Sequence, residues 1–270
     1  SNSAPVFAGL DGAPSFTEGG SAVVIDSDVT ISDTELDALN GGNGDYAGAS
    51  LTVARNGGAD ASDSFGFDTD GAGFMVNGSD LEDGGQAFAS FTNSGGTLTI
   101  NFTGASTTAT STLVDEVLQR ITYANTANDP DASVTLDYIF NDGISDSSGS
   151  NQATVSITNV NDAPTLSATG QDPTYIEGNA GADLYSGVTA SAVEAADRFT
   201  GMSLTVTNVS DGADEILAFD GSDIALTNGN SVTTDNNGLG VTVTVAGSTA
   251  TVSFSDGLLT NDQMQTLVDA

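Results

Sequence analysis

The sequence predicts an all-β chain of two tandem antiparallel β-sandwiches with a few short helices, and three observations carry that expectation. Alternating, β-branched runs recur along its 270 residues, as in Thr97 to Phe102, Val134 to Phe140, Ala153 to Thr158 and Val241 to Val245, bounded by Gly, Asn and Asp. Apolar residues at every second position between turn formers are the pattern of half-buried strands. The chain also repeats itself internally, which is the mark of a modular architecture. Its length suits one large or two medium β domains, and a hydrophobic content of 38% is enough to fill their cores.

The repeat sets the domain boundaries. Ala4-Pro5 returns as Ala163-Pro164, Phe16-Thr17-Glu18-Gly19 as Tyr175-Ile176-Glu177-Gly178, and Ser32-Asp33-Thr34-Glu35 as Ser191-Ala192-Val193-Glu194, each at an offset of 159 (163 − 4, 175 − 16, 191 − 32). Further on, Ser50-Leu51-Thr52-Val53 returns as Ser203-Leu204-Thr205-Val206, an offset of 153, and Thr97-Leu98-Thr99-Ile100 as Thr249-Ala250-Thr251-Val252, an offset of 152. The drop falls at the glycine-rich stretch Gly41 to Tyr46, which is therefore a variable loop. The expected domains are residues 1–160 and 161–270.

Short helices are expected at four places. Ser32 with Glu35 forms a capping-box pattern before Leu36 and Leu39, and Ser191 with Glu194 repeats it. A second helix is expected from Thr112, with Val114, Val117, Leu118 and Ile121 on one face, and Met264, Leu267 and Val268 repeat that spacing. Asp33 suits a helix first turn, where the dipole favours an acid. The second copy reaches Ala270 at the point matching Arg120 and so lacks the counterpart of the last strands. Such a sandwich exposes an apolar face and unpaired edge groups unless they are supplied elsewhere. With no initiator Met, no basic n-region and no apolar h-region at Ser1 to Pro5, the chain reads as an interior segment.

Charge narrows the partners. Thirty-seven acidic residues face three arginines, Arg55, Arg120 and Arg198, and with no lysine or histidine the formal charge is −34. Such a chain repels nucleic-acid phosphates and anionic membranes, and no apolar run reaches the roughly 18 residues of a membrane span. Self-repulsion on this scale calls for cations, and Asp- and Asn-rich loops are the ligands hard divalent ions prefer. Cysteine is absent, so no disulfide or thiolate site is available. The absence of His, Cys and Lys also removes nucleophile–base systems, Schiff-base chemistry and the phosphate clamp of a P-loop. A glycosidase-type carboxylate pair finds no aromatic platform, since Trp is absent and aromatics make up 6%. The chain is expected not to be an enzyme.

At the junction of the copies stands Ile157-Thr158-Asn159-Val160-Asn161-Asp162-Ala163-Pro164. This segment resembles the Asp-x-Asn-Asp-Asn-Ala-Pro linker of cadherin repeats, and more closely the Val-Asn-Asp-Ala-Pro junctions of cadherin-like repeats in large bacterial surface adhesins of the RTX and VCBS type. The resemblance implies cadherin-like or Ig-like sandwiches, calcium (Ca2+) as the ligand, and a location on the bacterial cell surface. It implies calcium ligands at Glu18 and its counterpart Glu177, at Asn159, Asn161 and Asp162 of the linker, and at Asp142 in the turn Asn141-Asp142-Gly143, near Asn2. Asp129-Pro130-Asp131 stands in place of the family's Asp-Arg-Glu, and Asn159 replaces the first linker Asp. Fewer charges imply weak binding suited to millimolar calcium.

Other readings stand beside these. Asn-Asp-Ala-Pro and Asn-Asp-Gly are also ordinary turn sequences. Asp26-Ser27-Asp28 matches an Asp-x-Asp element, yet its counterpart Leu184 to Gly187 carries no acid. Gly41 to Asp45 and Asp68 to Gly71 lack the spacing of a β-roll or an EF-hand loop. Threonine-rich strands could present an ice-binding face, but strand propensity explains them. Glycan binding would need aromatic loop residues, for which Tyr46 and Tyr185 are the candidates. The implied function is a calcium-stiffened extracellular spacer whose partners are calcium, neighbouring repeats and copies of itself. The alternative is a self-assembling structural subunit of a filament, sheath or surface layer, completed by strand exchange.

Overall fold

The alternation written in the sequence becomes strands in the computed structural model, which describes residues 1–269. Strands take 41% of the chain and helices 10%, so the fold is all-β. Contacts divide it into two compact units, Ser1–Val160 and a second beginning at Asn161.

The strands of unit 1 are β1 (Val6–Ala8), β2 (Ser15–Thr17), β3 (Val23–Val24), β4 (Thr30–Ser32), β5 (Ser50–Arg55), β6 (Asp63–Phe67), β7 (Met75–Asn77), β8 (Asp80–Asp83), β9 (Gln86–Ser94), β10 (Thr97–Phe102), β11 (Ile121–Asn125), β12 (Ser133–Asn141) and β13 (Gln152–Thr158), with helices α1 (Thr34–Asp37) and α2 (Ser111–Gln119). The main sheet has the order β2-β13-β12-β5-β10-β9-β8-β7, and β3-β11-β6 forms a second. Their inner faces meet in one core. Val134, Leu136, Tyr138 and Phe140 of β12, Leu51 and Val53 of β5, and Phe65 and Tyr123 of the smaller sheet all belong to it. Edge-on aromatic pairs such as Phe16 with Tyr123 and Tyr46 with Phe140 lock it, each worth about 1 kcal/mol beyond the area buried. The result is β-sandwich-like.

The sheets are antiparallel, as expected, except at one strand pair. β2 runs parallel to β13, with Phe16 opposite Ile157. The reason lies in the route of the chain. It starts beside the loop that precedes β13, where the Ser148 N–H donates to the Pro5 carbonyl at 3.1 Å. It then runs alongside β13 in the same direction and leaves past Thr158. The places where the chain enters and leaves unit 1 are thus separated by the length of a seven-residue strand, roughly 23 Å at ~3.3 Å per residue.

Unit 2 contains β14 (Thr165–Gly170), β15 (Tyr185–Ser191), β16 (Met202–Thr207), β17 (Ile216–Phe219), β18 (Ser222–Ala225), β19 (Ser231–Thr233), β20 (Gly240–Ala246), β21 (Thr249–Phe254) and α3 (Asn261–Asp269). Its larger sheet has the order β16-β21-β20-β19. The repeat holds at the level of register. Leu51 lies opposite Ile100 and Val53 opposite Leu98 in unit 1, and their counterparts Leu204 and Val206 lie opposite Val252 and Ala250. Likewise Met264 and Leu267 of α3 are buried, as Val114 and Val117 of α2 are.

The helix starts differ from expectation. α1 is capped by Asp33, not Ser32: its Oδ1 accepts the N–H groups of Glu35 and Leu36 at 3.0 and 2.8 Å. In the second copy Asp33 is replaced by Ala192, which has no acceptor, and residues 191–197 form no helix. The expected capping boxes are therefore not made. The glutamates turn back to the start of their units instead. Glu35 Oε2 accepts the Ser3 N–H at 3.1 Å, and Glu194 Oε1 accepts the Asp162 N–H at 2.6 Å. Both donor and acceptor are shifted by the same 159 positions (162 − 3, 194 − 35), so one bond is built twice. α2 begins at Ser111 with Thr110 as its cap. A true capping box does open α3, where Thr260 and Gln263 exchange bonds of 3.2 and 2.9 Å. No helix among the described residues is long and apolar enough to cross a membrane.

Candidate cation-binding residues

Three groups of acidic side chains are built by the fold of unit 1. The first lies where the turn at Asp11-Gly12 meets the loop after β3. Asp26 is 3% exposed, and its carboxylate accepts four backbone N–H groups: Asp28 and Val29 at 3.1 and 3.0 Å on Oδ1, Asp11 and Gly12 at 2.9 and 2.6 Å on Oδ2. Gly12 is required there, because a Cβ would stand 2.2 Å from the Ile25 carbonyl oxygen. Among the described residues, Asp11, Asp26 and Asp28 form the one trio whose carboxylate oxygens lie within 4.8 Å of one another. The hydrogen bond to Asp26 and the Asp26 charge hold the Asp28 carboxyl above the usual range, and Asp11 adds to this. The donor set fits a hard cation only in part. Asp26 has about four acceptor sites and all are in use, so Asp11 and Asp28 remain as ligands. In the second copy the three positions are Gly170, Tyr185 and Gly187, and the trio is not repeated. Asp26-Ser27-Asp28 was legible as a motif; its meeting with Asp11 was not.

The second group gathers where the chain leaves unit 1. Glu18 straddles Asn159: its N–H donates to the Thr158 carbonyl at 3.0 Å, and its Oε2 accepts the Val160 N–H at 2.9 Å. Asn159 Nδ2 donates to Asp129 Oδ1 at 3.2 Å. Glu18, Asp129 and Asn159 are thus brought to one place by the β2–β13 pairing. Asp131 is drawn away, since it pairs with Arg55 Nη1 at 2.9 Å. Asp142 lies at the opposite end, buried in its turn. It accepts from the N–H groups of Ile144 and Ser145 at 2.7 Å each and from Asn2 Nδ2 at 2.8 Å. Burial works to raise its carboxyl, but these donors outweigh that and hold it below the usual range. In unit 2, Asn161 Nδ2 donates to the Asp162 carbonyl at 3.1 Å, and Glu177 is exposed in the stretch 171–180. The structure does not bring Glu177 to a strand, as it does Glu18.

The third group surrounds the start of α1 and was not anticipated. Asp37 Oδ1 accepts from Tyr46 Oη at 2.8 Å and Ser111 Oγ at 2.7 Å, and Asp115 Oδ1 accepts the Ile31 N–H at 2.9 Å. Asp33 Oδ2 is buried without a hydrogen-bond partner. Tyr46 is fully buried, so it cannot face a glycan as a loop tyrosine would. Burial pushes the Asp115 carboxyl up; the Ile31 N–H opposes this and the Asp37 charge adds to it. A carboxyl raised by folding contributes stability below the ordinary value of 3.8 and loses it as pH rises through its folded value. Asp115→Asn keeps an acceptor for Ile31 and removes the charge. It is expected to raise the melting temperature at pH 7 and to leave it unchanged at pH 3, in melts run side by side. A loss at pH 7 would contradict the argument.

The fold and these groups define an acidic all-β protein of two tandem units with carboxylates collected at loops and strand ends. Neither a protein-family model nor a curated protein matches the sequence.

Proposed function

We propose that the chain is a pair of cadherin-like repeats from a large bacterial surface adhesin, serving outside the cell as a calcium-stiffened spacer without enzymatic activity. The observation that carries this reading is the route through unit 1. The chain enters beside the loop preceding β13 and leaves past its far end, the geometry a head-to-tail string needs. The twice-built bond from the residue before Ala-Pro to a glutamate supports the repetition. The collection of Glu18, Asp129 and Asn159 beside Val160 supports a cation where one unit gives way to the next stretch of chain. Bound there, calcium would supply positive charge to a chain carrying −34 and restrain the strand end.

Calorimetric unfolding in millimolar calcium and in EDTA, at matched ionic strength, tests the reading. Calcium at ten times its dissociation constant stabilises by about 1.4 kcal/mol, and Glu18→Gln is expected to reduce that gain. Melting curves that superimpose with and without EDTA would remove calcium from the mechanism.

A further inference from the structure

Alternate residues of a strand face outward, and cross-strand partners in register stand side by side on one face. On the main sheet of unit 1 the outward residues of β5, β10 and β9 therefore form rows. Thr52, Thr99 and Thr92 stand in one, and the rows on either side, from Ser50 to Ser90 and from Ala54 to Ser94, hold Ser, Thr, Asn and Ala. Unit 2 builds the same grid: Thr205, Thr251 and Thr244 stand in register between rows running from Ser203 to Thr242 and from Thr207 to Ala246. None of the eighteen positions (9 + 9) is charged, although at 37 acids in 270 residues two or three would be expected to be acidic. Strand propensity accounts for threonine, but a solvent-facing sheet ordinarily carries charges as well. In unit 1 the central row continues onto β12, where Ile139 lies opposite Thr52 and is 47% exposed. Asp137, the outward acid beside it, has its carboxylate held by the Asn56 and Gln152 amides at 2.9 and 2.7 Å.

We propose that this outer face of unit 1 is a contact between two copies of the chain, packed sheet to sheet about a two-fold axis. Charge selects the surface. Chains of −34 repel one another, and the uncharged grid lets two of them close without setting carboxylate against carboxylate. Unit 1 offers the wider face, because β12 extends its grid. Chemistry selects a second copy as the occupant. A two-fold contact sets a face against itself, so its groups must be self-complementary. Carboxylates only accept hydrogen bonds, whereas Thr, Ser and Asn both donate and accept. Shape agrees, since a sheet twisted by roughly 20° per strand suits another twisted sheet, with strands about 30° apart, and not a flat lattice such as ice. Four strands of about six residues present roughly 19 by 20 Å, about half of the ~800 Å² per partner of a stable complex, so the pair is weak and reversible. The contact involves no ion and does not rest on the spacer reading.

Sedimentation of the 270-residue chain over a concentration series, in EDTA so that calcium plays no part, provides the test. A monomer–dimer equilibrium is expected. It should tighten by about tenfold between about 0.05 and about 0.5 M NaCl, since salt screens the repulsion and the face carries no ion pair to weaken. Thr92→Glu and Thr99→Asp place like charges within the contact, and each is expected to weaken the dimer by about tenfold or more while leaving the melting temperature of the dilute chain unchanged. Thr92 is exposed, so its variant keeps the test open if Thr99→Asp fails to fold. Thr244→Glu, a like change on unit 2, is expected to leave the dimer intact. The proposal is overturned if the chain stays monomeric at about 1 mM in high salt, or if salt loosens the dimer. It is also overturned if the dimer survives Thr92→Glu, or if Thr244→Glu breaks it as readily.

Discussion

Arg55→Ala is expected to destabilise unit 1 by about 3–5 kcal/mol, among the largest effects of any single substitution in the chain. Its partner Asp63 is wholly buried on β6, where the carboxylate accepts from Arg55 Nε and Nη2 at 2.8 and 2.9 Å, from Tyr123 Oη at 2.6 Å and from Asn125 Nδ2 at 3.0 Å. The hydrogen bond to Asp63 raises the guanidinium above its already high ordinary value, against the effect of burial, so Arg55 stays charged at every accessible pH. Truncating Arg55 leaves a buried anion with neutral donors only. No other cation can replace it, because the chain has just two more arginines and no lysine or histidine. The accompanying loss of the Asp131 contact matters little, since that carboxylate is 74% exposed. Urea unfolding measures the effect. The double variant Arg55→Met, Asp63→Leu is expected to recover most of it, because it removes the buried charge together with its partner. A single-variant cost below about 1 kcal/mol would show that water reaches Asp63.

Asp26→Ala should have a comparable effect, about 3–5 kcal/mol, since it removes four hydrogen bonds from backbone N–H groups to one carboxylate, each worth roughly 1 kcal/mol, and leaves the buried Val29 N–H without an acceptor. Asp26→Asn keeps one acceptor oxygen and should fall about halfway. The size of the loss is expected to be the same in calcium and in EDTA. Asp26 is saturated by the backbone and closes the Asp11-Gly12 turn onto the loop after β3, so its role is structural, with or without an ion. If the loss disappeared in EDTA, Asp26 would instead be acting as a ligand and the backbone bonds would be secondary.

The parts of the fold that could be read from sequence are those with a short period. β10, β12 and β13 announce themselves by alternation, and α2 and α3 by apolar residues at helical spacing. The parts that could not be read depend on meetings between distant positions. β2 is three residues long, too short to show a period, and its parallel partner lies about 140 positions away. Ser32 and Glu35 spell a capping box at the start of α1, but Asp33 is the residue whose oxygen reaches the helix N–H groups. The same holds for acidic sites. Glu18 could be found from the residues around it, whereas Asp11, Asp37, Asp63 and Asp115 gain their roles from side chains or backbone brought in by the sheets. Asp131 illustrates the converse: the resemblance to cadherin repeats puts it with Asp129, but its carboxylate pairs with Arg55.

The parallel course of β2 and β13 bears on how unit 1 meets tension. A pull on the chain before Pro5 and beyond Val160 draws these two strands past each other lengthwise. The bonds from Ser156 to Pro14 and from Glu18 to Thr158 then carry the load in shear and yield together, with Phe16 having to leave the core at the same moment. An antiparallel arrangement would open like a zipper, one bond at a time. If the chain serves as the spacer proposed above, the three-residue strand β2, the least conspicuous element in the sequence, is the place where unit 1 would resist that pull.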